Sequence, residues 1–157
     1  KNSMTKIFKE AIHPFIMGFT TCSSLACCPT VAKALKSLGV KEVNSKFNIN
    51  AGLIFSKSSC MLYLTTIVVY SCCILEKSLG IGECAILAFT TIVLSIAVPS
   101  LPGGTAAIVS NLMLQYSLPM ELVGAVLSID FIMDMMRTGA RGFFMVCEGL
   151  IFDKIVD

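Results

Sequence analysis

Apolar residues run along this chain in four long stretches, and the way each is broken predicts its shape. The longest uncharged run extends from Cys84 to Met120. As one straight helix it would be roughly 55 Å long, well beyond a hydrocarbon core about 30 Å thick. PSLPGG, residues 99–104, interrupts it near the middle, because proline and glycine punctuate helices. The arms, 84–98 and 105–118, would each be roughly 20 Å long, too short to span. A re-entrant hairpin over 84–118, leaving the membrane by the side it entered, is the economical prediction. Residues 11–32 repeat the pattern, with TTCSS at 20–24 and Pro29 as interruptions and Lys33 and Lys36 closing the second arm. This predicts another re-entrant hairpin over 5–38, with a serine-bearing tip; a single spanning helix is the alternative.

A longer apolar segment follows each hairpin: 47–75, loosened by SKSS at 56–59, and 121–150. The fold class expected is therefore all-α integral membrane, with two re-entrant helical hairpins alternating with two transmembrane helices. One full crossing separates the two hairpin–helix units, so the second enters from the opposite face as an inverted repeat. Inverted repeats with broken helices are a common plan of secondary transporters, whose substrate site lies near the midplane. Irregular backbone at that depth is tolerable only where protein or a water-filled cavity satisfies it.

Composition agrees. The 157 residues are 55% hydrophobic and only 14% charged, against about 25% charged in an ordinary soluble domain. Too little polar material remains to cover a water-facing surface, which sets aside the alternative of a soluble domain with an outsized core. The net charge of +2 says less than its distribution. Lys1, Lys6 and Lys9 form one basic cluster and Lys33, Lys36, Lys41 and Lys46 another, while Lys77 stands between Glu76 and Glu83. The two clusters are expected on the cytoplasmic side, with 76–83 outside. No aromatic interleaving supports a nucleic-acid patch at 33–46. The eight cysteines form no Cys-x-x-Cys pair and lie mostly in apolar runs, so they are read as reduced packing residues, without a disulfide frame or metal site. The first residues, Lys-rich and amphipathic, do not resemble a signal peptide, and the start at Lys1 suggests a piece of a longer protein.

The chemistry concentrates in SIDFIMDMMRTGARGF, residues 128–143. Asp130, Asp134, Arg137 and Arg141 are 4, 3 and 4 residues apart, which on a helix places them within an arc of about 60° along roughly 16 Å of axis. Each unpaired charge in lipid costs at least about 2.5–3.5 kcal/mol. The group must therefore face protein, pair internally or meet a ligand. Asp134 and Arg137 can pair at i, i+3, and Arg137 offers a planar fork suited to a carboxylate. Lys57 adds a fifth intramembrane charge, bringing the sum to +1, a sign that favours an anionic ligand or a zwitterion with a spare carboxylate. An ion network that merely fixes helix packing is the alternative.

DFIMDMMRT, 130–138, resembles the last membrane helix of the dicarboxylate/amino acid:cation symporter family, the glutamate transporter homologues. TTCSSLACCP, 20–29, is similar to that family's serine-rich first hairpin tip, and SIAVPSLPGG, 95–104, to its second. MLYL, 61–64, lies where the seventh helix carries Leu-Tyr. The resemblance runs from about Lys6 to Asp153 and implies the C-terminal part of a transport domain, without the N-terminal scaffold helices through which the family forms homotrimers. It implies a bacterial inner-membrane carrier in the lipid bilayer for a small anionic or zwitterionic substrate. It also implies that Asp134 takes the substrate ammonium and Arg137 its side-chain carboxylate, with Thr138 beside them. Ser23 and Ser24 would contribute from the first tip, and Leu101 and Thr105 would flank the second, which acts as the gate.

The departures bear on coupling. Where the family carries Asn-Met-Asp-Gly-Thr, this chain has Ser56, Lys57, Ser58, Ser59 and Cys60, the last counted with the substrate-binding positions. The family's Asn and Asp in the last turns of the eighth helix fall on Arg141 and Met145. Sodium needs hard oxygen ligands, preferably charged, and here Ser56, Lys57, Ser58, Arg141 and Met145 form a degenerate set. Lys57 and Arg141 would then act as resident cations, with Arg141 meeting the α-carboxylate. The function expected is secondary transport of an acidic amino acid or small dicarboxylate with altered or absent sodium coupling, open between sodium and proton, and no further cofactor. A degenerate, non-transporting relative is the alternative. An enzyme is not expected: His13 stands alone, and no nucleophile–base pair or phosphate loop occurs.

Overall fold

The computed structural model describes residues 3–55, 57–97 and 103–156, and these form helices joined by turns and short irregular connections. The helices are α1 (Met4–Thr21), α2 (Ser24–Ser37), α3 (Glu42–Phe55), α4 (Ser58–Ile74), α5 (Ile81–Ala97), α6 (Gly104–Gln115) and α7 (Met120–Val156). They form two compact units. The first holds α1, α2, α3 and α7 from Asp134 onward; the second holds α4, α5, α6 and α7 up to Met133.

In the first unit α1 and α2 pack together as a helical hairpin, and α2 packs on α3. The turn falls at Cys22 and Ser23, inside the predicted TTCSS tip. Cys22 takes the left-handed conformation (φ 50°) and its N–H bonds the Gly18 carbonyl at 2.9 Å, closing the last turn of α1. Ser23 then caps α2, its hydroxyl accepting from the Ala26 N–H at 3.4 Å. Pro29, expected as an interruption, instead lies inside α2, as Pro14 does inside α1. Each removes one backbone N–H, but tertiary packing outweighs that local cost.

α3 begins at Glu42, five residues before the apolar segment expected from 47. Asp153 explains the early start. Its Oδ1 accepts from the Lys41 backbone N–H at 3.2 Å and from Asn44 Nδ2 at 2.8 Å, an acidic cap at a helix N-terminus. The same contact holds the end of α7, which runs on to Val156 rather than stopping near 150. The core of this unit joins Ala11, Cys27, Val31, Leu35, Met145 and Val146.

The second unit is organised around α4, whose Cys60, Leu64, Val68 and Cys72 recur every four residues as one buried stripe. Leu87, Val109, Leu112, Met113 and Val123 pack against it. Thr65 and Thr91 hydrogen-bond across the α4–α5 contact at 3.1 Å, a polar fastening between two apolar helices. Cys73 and Cys84 are exposed rather than packed, unlike Cys22, Cys27, Cys60 and Cys72.

SKSS marks a real break: α4 starts at Ser58, with Lys57 outside helical geometry (φ −104°, ψ 14°). By length and composition Glu42–Ile74 is long and apolar enough to cross a membrane. The outer surface is apolar as well. On α7, Ile129, Phe131, Ile132 and Met136 are exposed, whereas Asp130 and Thr138 on the same helix are buried. A buried carboxylate beside exposed large hydrophobic side chains departs from the arrangement of a water-soluble domain.

Candidate functional site

The sequence-predicted residues gather in both units. In the first, Arg137 Nη2 lies 3.2 Å from Asp134 Oδ1, and the two side chains are only 10% and 14% exposed. The pair spans one turn, as the i, i+3 spacing requires. One turn further along α7, Arg141 Nη1 donates to Ser24 Oγ at 2.8 Å. Ser24 is the first residue of α2 and is buried, so the hairpin tip holds this guanidinium in place. Thr138 is buried between the two arginines in sequence, while the Ser23 hydroxyl oxygen also serves as the cap of α2. The first unit thus assembles Asp134, Arg137, Thr138, Arg141 and Ser24: two guanidinium groups and one carboxylate in a largely desolvated setting. Such a set suits a ligand carrying more than one carboxylate.

Glycines that sequence reasoning passed over make this assembly possible. A Cβ on Gly142 would stand 2.6 Å from the Pro14 carbonyl oxygen, and one on Gly18 would stand 2.6 Å from that of Thr138. On Gly139 it would reach the Phe15 carbonyl at 3.0 Å. α1 and the C-terminal half of α7 therefore meet backbone to backbone on either side of Thr138 and Arg141. Small residues at close helix crossings are the rule where lipid supplies no hydrophobic drive. The signal available in the sequence was Gly139 and Gly142, three apart and interleaved with the arginines.

Met145 is fully buried in the first unit's apolar core. Its thioether packs on Gly52, and its carbonyl accepts from Asn48 Nδ2 at 2.9 Å. Asn48 is a second residue that sequence reasoning missed; a polar side chain inside the apolar 47–75 segment was the clue.

In the second unit, Thr105 Oγ1 donates to Asp130 Oδ2 at 3.3 Å, both groups buried. Lys57 is buried too, and its ammonium donates to the Ile96 carbonyl at 3.2 Å, near the C-terminal end of α5 where helix carbonyls favour a cation. Cys60 sits in the apolar core stripe of α4, and Ser58 is exposed at the start of that helix. The expectations for Ser56 and Leu101 fall outside the described residues.

The Ser24 contact carries an expected outcome. Ser24→Ala removes the acceptor held by Arg141, and a hydrogen bond to a charged group is worth about 1.5–3 kcal/mol. Substrate affinity, read by isothermal titration on the full-length protein, is expected to change about tenfold or more; an unchanged affinity would show that Ser24 does not position Arg141 for binding.

The chain matches the family described as the sodium:dicarboxylate symporter family over residues 1–152. It is 21% identical over 136 residues to the proton/glutamate-aspartate symporter of Bacillus subtilis (strain 168), an alignment covering 87% of this chain and 33% of that protein. It is 22% identical over 135 residues to the proton/glutamate-aspartate symporter of Escherichia coli (strain K12), covering 86% of this chain and 30% of that one. The chain thus spans about a third of the length of these curated relatives. Four motifs in order, a helical fold with many large hydrophobic side chains exposed, and a match along nearly the whole chain lead to one conclusion: this is a membrane protein that belongs to the sodium:dicarboxylate symporter family, whose members are transporters rather than enzymes.

Proposed function

We propose that this chain is the C-terminal part of the transport domain of a secondary carrier for an acidic amino acid or small dicarboxylate, with Lys57 and Arg141 as resident cations in place of bound sodium. The observation that carries the reading is the desolvated Asp134–Arg137 pair, beside an Arg141 held by the first hairpin tip. Asp134 receives an ammonium group, Arg137 the side-chain carboxylate and Arg141 the α-carboxylate. Thr138, Ser23 and Ser24 add hydrogen bonds. Leu101 and Thr105 are read as flanking the second hairpin tip, which serves as the gate. Both hairpins are read as re-entrant, and the full-length carrier as a homotrimer in a bacterial inner membrane, assembled through scaffold helices that precede this segment.

Two further observations support the altered coupling. Met145 occupies an apolar core position with no oxygen in its side chain, unsuited to a hard cation. Lys57 already supplies a positive charge at a helix C-terminus. Both relatives are named proton/glutamate-aspartate symporters, which favours the same substrates here and a coupling that does without sodium. The family match over 1–152 and the intact Asp–Arg pair favour a carrier over a non-transporting relative.

Uptake of labelled aspartate by the full-length protein in proteoliposomes, with and without a sodium gradient, tests the reading. Uptake indifferent to sodium is the expected result. Sodium-driven uptake would remove the role given to Lys57 and Arg141, and a lack of both aspartate and dicarboxylate uptake would remove the carrier assignment.

A further inference from the structure

Away from the charged residues of α7, the first unit has a cavity of about 470 Å³ between the end of α2 and the beginning of α3. Lys33 and Lys36 from α2 and Lys46 from α3 line it, with Glu42 as its one acidic residue. Three positive charges against one negative leave a net charge of +2. Glu42 is already engaged by Lys46, at 2.6 Å, so it adds no independent attraction for a cation. The buried Ser45 offers a hydroxyl in the same wall.

The rest of the lining is apolar. Val40 is buried, Ile49 half-buried, and both face the cavity. On another face of α3, Val43 and Phe47 are exposed, and Phe47 stacks on Phe152 of α7 with ring centroids 5.1 Å apart. A soluble anion has no use for the apolar side of this cavity, formed by Val40 and Ile49. A phosphodiester attached to glycerol and acyl chains uses both halves.

We propose that this cavity binds the headgroup of an anionic phospholipid, with Lys33 and Lys36 on the phosphate, the Glu42-paired Lys46 beside them, and Val40 and Ile49 against the glycerol and first acyl carbons. Basic pockets between helices at a membrane boundary are suited to such headgroups. Here α2 and α3 bring three exposed lysines to the rim of one cavity. The site is independent of the transport reading; it needs only that the protein lies in a bilayer, as its family does.

Native mass spectrometry of the full-length protein, purified in detergent and titrated with phosphatidylglycerol or phosphatidylcholine, tests it. Phosphatidylglycerol is expected to be retained at concentrations on the order of tenfold lower. The double variant Lys33→Gln/Lys36→Gln is expected to abolish that preference, and Lys33→Arg/Lys36→Arg to keep it. Lys9→Gln/Lys154→Gln removes the same charge from residues outside the cavity and is expected to leave the preference intact. Three outcomes would each overturn the proposal: a preference that survives Lys33→Gln/Lys36→Gln; equal loss in both glutamine variants, which would mark a diffuse basic surface; and displacement of the lipid by inorganic phosphate at matching concentration, which would mark a soluble-anion site.

Discussion

Arg137→Ala is expected to lower aspartate uptake by about 30-fold or more, measured in proteoliposomes with the full-length protein. Arg137 lies in a largely buried pair with Asp134, and truncating one member of such a pair costs about 2–5 kcal/mol. At about 1.4 kcal/mol per decade, that is roughly 30-fold to several thousandfold in binding. Arg137→Lys is expected to recover little, because an ammonium keeps the charge but loses the planar fork that matches a carboxylate. The double variant Asp134→Ala/Arg137→Ala separates ligand binding from packing. If the pair only fixes helices, removing both partners removes the uncompensated charge and uptake returns. If the pair meets substrate, the double variant folds and still does not transport.

Gly142→Leu is expected to cost the protein most of its folded population, read as the melting temperature and yield of the detergent-purified full-length chain. Already the first added carbon would stand 2.6 Å from the Pro14 carbonyl oxygen and 3.4 Å from Cys27 Sγ. The obstacle at Pro14 is backbone, which no rotamer change relieves. Overpacking a well-packed interior costs about 1–3 kcal/mol, and the remaining atoms of leucine push the cost to the top of that range or past it. Gly124→Ala makes the comparison: nothing lies within 4 Å of the added Cβ, so alanine's better helix propensity, worth about 1 kcal/mol, should leave stability unchanged or raised. Equal losses at 124 and 142 would show that the close crossing of α1 and α7 does not govern stability.

Breaks and charges were the legible part of the sequence. TTCSS predicted the turn that falls at Cys22 and Ser23, and SKSS predicted the break before α4, because both replace apolar side chains with hydroxyls that compete for backbone hydrogen bonds. The i, i+3 spacing of Asp134 and Arg137 was enough to foresee their pairing. Pro29 misled because a proline's local cost is visible in sequence, whereas the packing that offsets it is not. The early start of α3 depends on Asp153, 112 positions from Lys41, a partner that no local pattern names. Division of the charged stripe was equally hidden: periodicity groups four residues on one face, yet Asp130 finds Thr105 in one unit while Arg141 finds Ser24 in the other. Glycine crossings left only the faint trace of small residues three apart.

Lys57, bonded to the Ile96 carbonyl, has an electrical consequence. A sodium ion boards and leaves, so a sodium-coupled carrier can return with its cation sites empty. A lysine is covalently attached and makes every journey. On the proposed reading, membrane voltage then acts on Lys57 in both the loaded and the empty carrier, with up to about 2.3 kcal/mol per 100 mV if the charge traverses the whole field. Voltage would favour one resting orientation even without substrate, and exchange of one substrate for another would escape much of that bias, since both limbs carry the same fixed charge.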